Sequence, residues 1–244
     1  MPLGCLSEAY AIRDALRLRL RLTPYLYSLM REAHETHSPI LLPTFVAFED
    51  DPAAFDDADA LMAGSWLMAA PVTREGAREV EVYLPHGPEG WRDFWTGDHF
   101  ASGQLAKVDA PLERLPLFVA AGAVIATTDS RGDYSRLHDE SSRALLAFPG
   151  AGDGQSSATL YEDDGVTVAG EAARVTVRLV WEPSRIHMTL GRGRLPFALR
   201  PHSRRTPKRR KAANRAAPLR EGHALPLKLA SAQKRHDRLL MALS

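Results

Sequence analysis

Val175-Thr176-Val177-Arg178-Leu179-Val180-Trp181 is followed by Glu182-Pro183-Ser184-Arg185 and then Ile186-His187-Met188-Thr189-Leu190. Val175, Val177, Leu179 and Trp181 occupy every second position, and so do Ile186, Met188 and Leu190. Alternation of this kind places one apolar face on each of two strands. The segment between them has the length and the Pro/Ser chemistry of a hairpin loop. Working outward, Glu79-Val80-Glu81-Val82-Tyr83-Leu84 opens with the same period of two, and Thr44-Phe45-Val46-Ala47-Phe48 is a short β-prone run. The longest apolar stretch, Leu115 to Thr128, contains Pro116 and Gly122 and is too short to span a bilayer, so it reads as buried core. Many short strands between Gly/Pro turns predict a mainly β chain built as an antiparallel β-sandwich.

The N-terminus follows a different period. Ile12, Leu16, Leu22, Leu26, Leu29 and Ala33 recur at helical spacing and predict one long helix from Ser7, a candidate N-cap, to about Thr36. Pro24 removes a backbone donor inside it and predicts a kink. Arg13, Arg17 and Arg21 form one ridge of this helix, read as a solvated face. Pro39 and Pro43 end the helical pattern.

Of the 244 residues, 45% are hydrophobic and 25% charged, which is the balance of a globular protein with a real core. The net charge of +1 conceals an asymmetry. Residues 1–182 carry 15 Lys and Arg against 28 Asp and Glu, a net of −13. Residues 183–220 carry 12 basic and no acidic residues. The segment 199–244 is therefore set apart as a basic tail. Arg204, Arg205, Lys208, Arg209, Arg210 and Lys211 lie in a stretch with too little apolar content to offset its ordering entropy, and disorder is expected there. These cations would attract phosphates without sequence preference. No interleaved aromatic residues support base stacking, so nucleic acid is a minor expectation. A short helix is expected near Ser231 to Ser244. The lone cysteine, Cys5, excludes an internal disulfide. Arginines interrupt the N-terminal apolar run, so no signal peptide is read, and a cytoplasmic, non-membrane protein is expected.

Carboxylates are tempting as catalysts. Glu49-Asp50-Asp51, Asp56-Asp57 and Glu162-Asp163-Asp164 are clusters, but neighbouring residues on a strand point to opposite faces. They do not by themselves form the facing pair that glycoside hydrolysis needs. All three read as turns or surface, with Glu162-Asp163-Asp164-Gly165 a turn after the strand Thr159-Leu160-Tyr161. Trp91, Phe94 and Trp95 are candidate sugar-stacking side chains, and the same cluster also suits a sandwich core. His34 and His37 have ligand spacing on the helix but lack a third partner, so no metal site is assigned.

Several segments taken in order resemble one family. Leu16-Arg17-Leu18-Arg19 running into Pro24-Tyr25-Leu26-Tyr27 resembles the last helix of a (β/α)8 barrel. Asp93-Phe94-Trp95-Thr96-Gly97, Val108-Asp109-Ala110-Pro111-Leu112, Leu115-Pro116-Leu117-Phe118-Val119 and Ala121-Gly122-Ala123 resemble a β-sandwich beyond it. Leu160-Tyr161-Glu162-Asp163-Asp164-Gly165 resembles a turn of a second sandwich. Together they resemble the C-terminal portion of glycoside hydrolase family 31, the α-glucosidase and α-xylosidase family, over about residues 8–198. The resemblance implies a retaining α-glycosidase whose catalytic aspartates lie in the barrel before this region. It therefore implies no catalytic residue and no cofactor here, and a catalytic barrel as partner, with carbohydrate as a further candidate. It divides the chain into 1–38 (barrel helix), 39–128 (proximal sandwich), 129–198 (part of a distal sandwich) and 199–244 (tail). Leu42, Ala120, Leu20 and Ala126 depart from the family pattern, the first two where Arg is usual. The likeness stops at Ala198, which raises a shifted reading frame near Leu199 as one expectation and a genuine basic extension as the other.

Overall fold

A computed structural model describes residues 4–56, 59–87, 89–128, 143–167, 172–191, 225–228 and 240–241. Helix α1 (Gly4–Arg21) and helix α2 (Thr23–Thr36) replace the single expected helix and meet at Leu22. The first helix begins at Gly4, upstream of Ser7. The break sits where Pro24 was expected to act, because Pro24 occupies the first turn of α2, where its missing N–H costs nothing. Helix α2 ends in a left-handed His37, whose N–H bonds Ala33 O at 2.9 Å.

The strands follow in order. They are β1 (Leu41–Pro43), β2 (Leu61–Ala63), β3 (Leu67–Ala69), β4 (Glu79–Leu84), β5 (Trp91–Asp93) and β6 (His99–Phe100). Next come β7 (Gln104–Asp109), β8 (Leu117–Ala120), β9 (Ala123–Thr128), β10 (Arg143–Phe148) and β11 (Gly154–Glu162). The last are β12 (Ala173–Glu182), β13 (Arg185–Leu190), β14 (Leu225–Lys228) and β15 (Leu240–Met241). Every described pairing is antiparallel. The sheets run β1-β2-β3-β8-β5-β6, β14-β10-β9, β11-β12-β13-β15 and β4-β7. The hairpin read at Glu182–Arg185 is present, with those two residues as its closing pair.

Three expectations are corrected. Thr44–Ala47 is one helical turn, α3, not a strand, closed by Phe48 N–H on Thr44 O at 2.9 Å. Thr44 N–H still reaches Ala60 O at 3.3 Å at the end of the β1–β2 ladder, and beyond it local turn hydrogen bonds win. Glu162 belongs to β11 rather than to the turn, which starts at Asp163. In the tail, β14 pairs with β10 and β15 with β13, so Leu240–Met241 is extended where a terminal helix was expected. Open sheet edges offer unpaired N–H and C=O groups that an extended segment satisfies. The rest of the tail, including the six basic residues, lies outside the described residues, as does the polar stretch 129–142.

The run Leu115 to Thr128 organises the core. Strand β8 sends Leu117 and Val119 toward α2, and Phe118 and Ala120 toward β4 and β7. After Gly122, β9 repeats the alternation. Ile125 faces α2, while Val124 and Ala126 face β11 and β12, where Val175, Val177, Leu179 and Trp181 wait. From Pro116 to Thr128 the segment is buried throughout because both of its faces are covered. Gly122 makes the corner at φ 90°, and a Cβ there would lie 3.0 Å from the Trp181 ring.

Candidate functional site

The loop Asp93–Gly97 is built by its first residue. Asp93 Oδ1 accepts N–H bonds from Trp95 at 2.6 Å and Thr96 at 2.8 Å, and Gly97 N–H closes the turn on Asp93 O at 2.9 Å. Gly97 takes φ 79°, a left-handed value that suits glycine. Arg92 supports the loop from below, donating to Gly97 O at 3.0 Å and Pro149 O at 2.8 Å. Burial pulls its guanidinium below the usual arginine range.

The three aromatic candidates part company here. Trp91 is 0% exposed and donates its Nε1–H to Pro85 O at 3.0 Å, so it has no face open to a sugar. Phe94 is part-buried, stacked on Phe148 and edge-on to Trp95. Trp95 alone reaches the surface, 38% exposed, with its Nε1–H held by Leu115 O at 2.8 Å.

Trp95 forms one wall of a groove of about 1160 Å³. The opposite wall is α1, through Leu18 and the start of α2 at Leu22, and Val72, Leu112 and Leu115 line it as well. Arg21, Arg74, Arg78 and Arg114 stand at its rim without an ion pair among the described residues. A different stripe of α1 is uncovered: Ile12 is 62% and Leu16 56% exposed, although their spacing marks them as buried residues. Arg13 and Arg17 are solvated, as read, and share Asp14.

Helix α2 is latched to the distal sheet by polar groups. Tyr27 donates to Asp163 Oδ1 at 2.7 Å, and Ser28 Oγ accepts Tyr161 N–H at 3.0 Å. Arg31 lies over the Tyr161 ring and pairs with Glu35, which also pairs with Arg174. The hydrogen bond to Asp163 pushes the Tyr27 hydroxyl up to about 12. Burial works against the Asp163 carboxylate, but Tyr27 and the Gly165 N–H outweigh it and hold it below the usual range.

The acidic clusters are dispersed into structural roles. Asp51 is buried and accepts from Tyr83 Oη, His86 N–H and Ala53 N–H. Asp56 is exposed, and Asp57 lies outside the described residues. Glu162 is buried in a two-pronged pair with Arg143, at 2.6 and 3.1 Å. Asp164 is held at about 2 by Thr167 and the turn N–H groups it caps. His34 and His37 end α2, and no three His, Cys, Asp or Glu residues gather for a metal among the described residues. The Glu162–Arg143 pair and the Arg174 contact escaped sequence reasoning, because their partners are far apart in the chain. Only Arg31 and Glu35, four apart on a helix, were readable as a pair.

A family model described as the glycosyl hydrolase family 31 C-terminal domain matches residues 37–125, which hold α3, β1 to β8 and the Trp95 loop. Residues 37–125 carry that family's C-terminal domain. Among curated relatives, alpha-glucosidase 2 of Bacillus thermoamyloliquefaciens is 31% identical over 72% of the chain and 22% of its own length. An alpha-xylosidase of Saccharolobus solfataricus is 32% identical over 73% of the chain and 24% of its own length. A family 31 dextranase of Flavobacterium johnsoniae superposes with a TM-score of 0.65 at 31% identity, covering 72% of the chain and 22% of the enzyme. The alpha-xylosidase of Xanthomonas citri gives 0.63 at 34% identity, covering 72% and 19%. The chain thus spans about a fifth of the length of the family 31 relatives it matches. No helix among the described residues is long and apolar enough to cross a membrane.

Proposed function

We propose that this chain is the C-terminal bracing part of a retaining α-glycosidase and holds none of the reacting groups itself. The observation that carries this reading is the uncovered stripe of α1. Ile12 and Leu16 have core spacing on a helix that resembles the last helix of a catalytic barrel, and apolar side chains so arranged are ordinarily covered. About four-fifths of each relative's length lies outside the match, and the catalytic portion of such an enzyme is the partner that stripe suits. The facing carboxylates of glycoside hydrolysis then belong to that portion. The chain's own contribution is rigid support, through α2 wedged between two sheets.

Within this reading Trp91, Phe94 and Trp95 serve packing rather than sugar stacking. Two of the three rings, Trp91 and Phe94, are committed to the interior, and Trp95 has its Nε1–H tied to Leu115 O.

The test is direct. Purified chain is expected to show no turnover of 4-nitrophenyl α-D-glucoside above a mock preparation. Turnover abolished by substituting any acid of this chain overturns the reading. A maltotriose titration is expected to leave iodide quenching of tryptophan fluorescence unchanged, and protection of Trp95 would reassign it to carbohydrate.

A further inference from the structure

The Trp95 groove has a complementary shape and charge next to it on the same molecule. The segment Pro52–Phe55 is a 3-10 helix whose N-cap is the buried Asp51. Ala54 is fully buried beneath it, while Phe55 projects, 56% exposed, with its ring against Phe45. Glu49, Asp50 and Asp56 lie close to this knob in the chain, all exposed and without an ion pair among the described residues. The result is an exposed aromatic anchor with acids beside it in the chain, next to a groove that carries six arginines, Arg17, Arg19, Arg21, Arg74, Arg78 and Arg114, against three acids, Asp14, Glu75 and Glu113, and so keeps a positive excess.

The two features share a wall. Thr73 Oγ1 donates to Asp59 Oδ2 at 3.0 Å, which ties the end of the knob segment to the strip bearing Val72 and Arg74. A patch that carries both a feature and its complement side by side pairs with itself about a twofold axis, each half meeting the other half of its mate. We propose that two copies of this chain associate in this way, each seating Phe55 among Val72, Trp95, Leu112 and Leu115 of the other. Arg74 and Arg114 then face Glu49, Asp50 and Asp56 across the contact. A preorganised aromatic anchor in an apolar pocket supplies affinity, and the rim charges supply orientation. The surface is distinct from the Ile12–Leu16 stripe assigned above to the catalytic portion, so the two proposals stand or fall separately.

Sedimentation equilibrium of the full chain tests it. The expected result is a concentration-dependent dimer whose dissociation constant rises about tenfold between 50 and 500 mM NaCl, as screened rim pairs require. Phe55→Ser disables the knob, and Arg74→Ser with Arg114→Ser disables the rim. Each variant is expected to sediment as a monomer with an unchanged circular dichroism spectrum. An equimolar mixture of the two is expected to recover dimers, because one intact knob then meets one intact groove. Leu16→Glu is expected to leave pairing unchanged. A chain that is monomeric at every concentration overturns the proposal. So does a dimer that survives both disabling variants, or one that is lost with Leu16→Glu alone.

Discussion

Two buried carboxylates carry more of this fold than their sequence context suggests. Glu162 and Arg143 meet in a dry, two-pronged contact, with side-chain exposures of 6% and 14%. Removing the buried carboxylate breaks this two-pronged pair, so Glu162→Ala is expected to cost about 3–5 kcal/mol. Urea unfolding measures it, and a loss below 1 kcal/mol would show that Arg143 is satisfied elsewhere. Asp51 presents a titratable case. Burial disfavours its charge, but bonds from His86 N–H, Tyr83 Oη and Ala53 N–H more than compensate and leave its folded pKa below the unfolded value near 3.8. Its contribution is therefore present above pH 4 and is lost as the pH falls through the depressed folded value. Asp51→Asn is expected to lower stability by about 1.5–3 kcal/mol at pH 7. The gap to the unmodified chain should narrow in melts run at successively lower pH below 3.8.

The elements were legible in the sequence where one face decided them. The β12–β13 hairpin was readable because alternation and a Pro-Ser loop agree, although Glu182 and Arg185, read as loop, extend the two strands and pair with each other. The Thr44–Phe48 turn was not, because nothing local distinguishes a short β-prone run with a pairing partner from one without. Glu162 was misplaced by one residue, since a run of acids resembles a turn until a distant arginine claims its first member. The Trp95 loop could be listed but not sorted. Which of Trp91, Phe94 and Trp95 lies outside depends on how β5 pairs with β8, a long-range fact. At this scale the corner between β8 and β9 makes the sharpest prediction. Gly122→Ala puts a side chain at φ 90° against Trp181 and is expected to cost about 1–3 kcal/mol. Ser156→Ala, which removes only the hydroxyl bond to Gly122 O, should cost less. Equal losses in thermal denaturation would locate the strain elsewhere.

Across the whole molecule, cover is uneven. Helix α2 buries Pro24, Tyr25 and Leu29, whereas α1 exposes Tyr10, Ile12 and Leu16. Native-state hydrogen exchange is therefore expected to release the amides of residues 8–16 well before those of 25–33. Equal protection of the two helices would mean that α1 is covered in solution and would remove the argument for a missing neighbour. Leu16→Glu should raise solubility without lowering the melting temperature.

The pairing of β9 with β10 has a consequence for recombining this chain with its relatives. The polar stretch 129–142 is the natural place to splice, since it reads as a seam in the sequence. Yet the strands on either side of it hydrogen-bond along their full length, from Arg143 opposite Thr128 to Phe148 opposite Ala123. A chimera joined there would take adjacent strands from two parents. It would also force one parent's Ile125 and the other's Leu146 and Phe148 to share the pocket under α2. Parents would have to match across a single layer of side chains, so viable hybrids should inherit α2, β8, β9 and β10 together as one block.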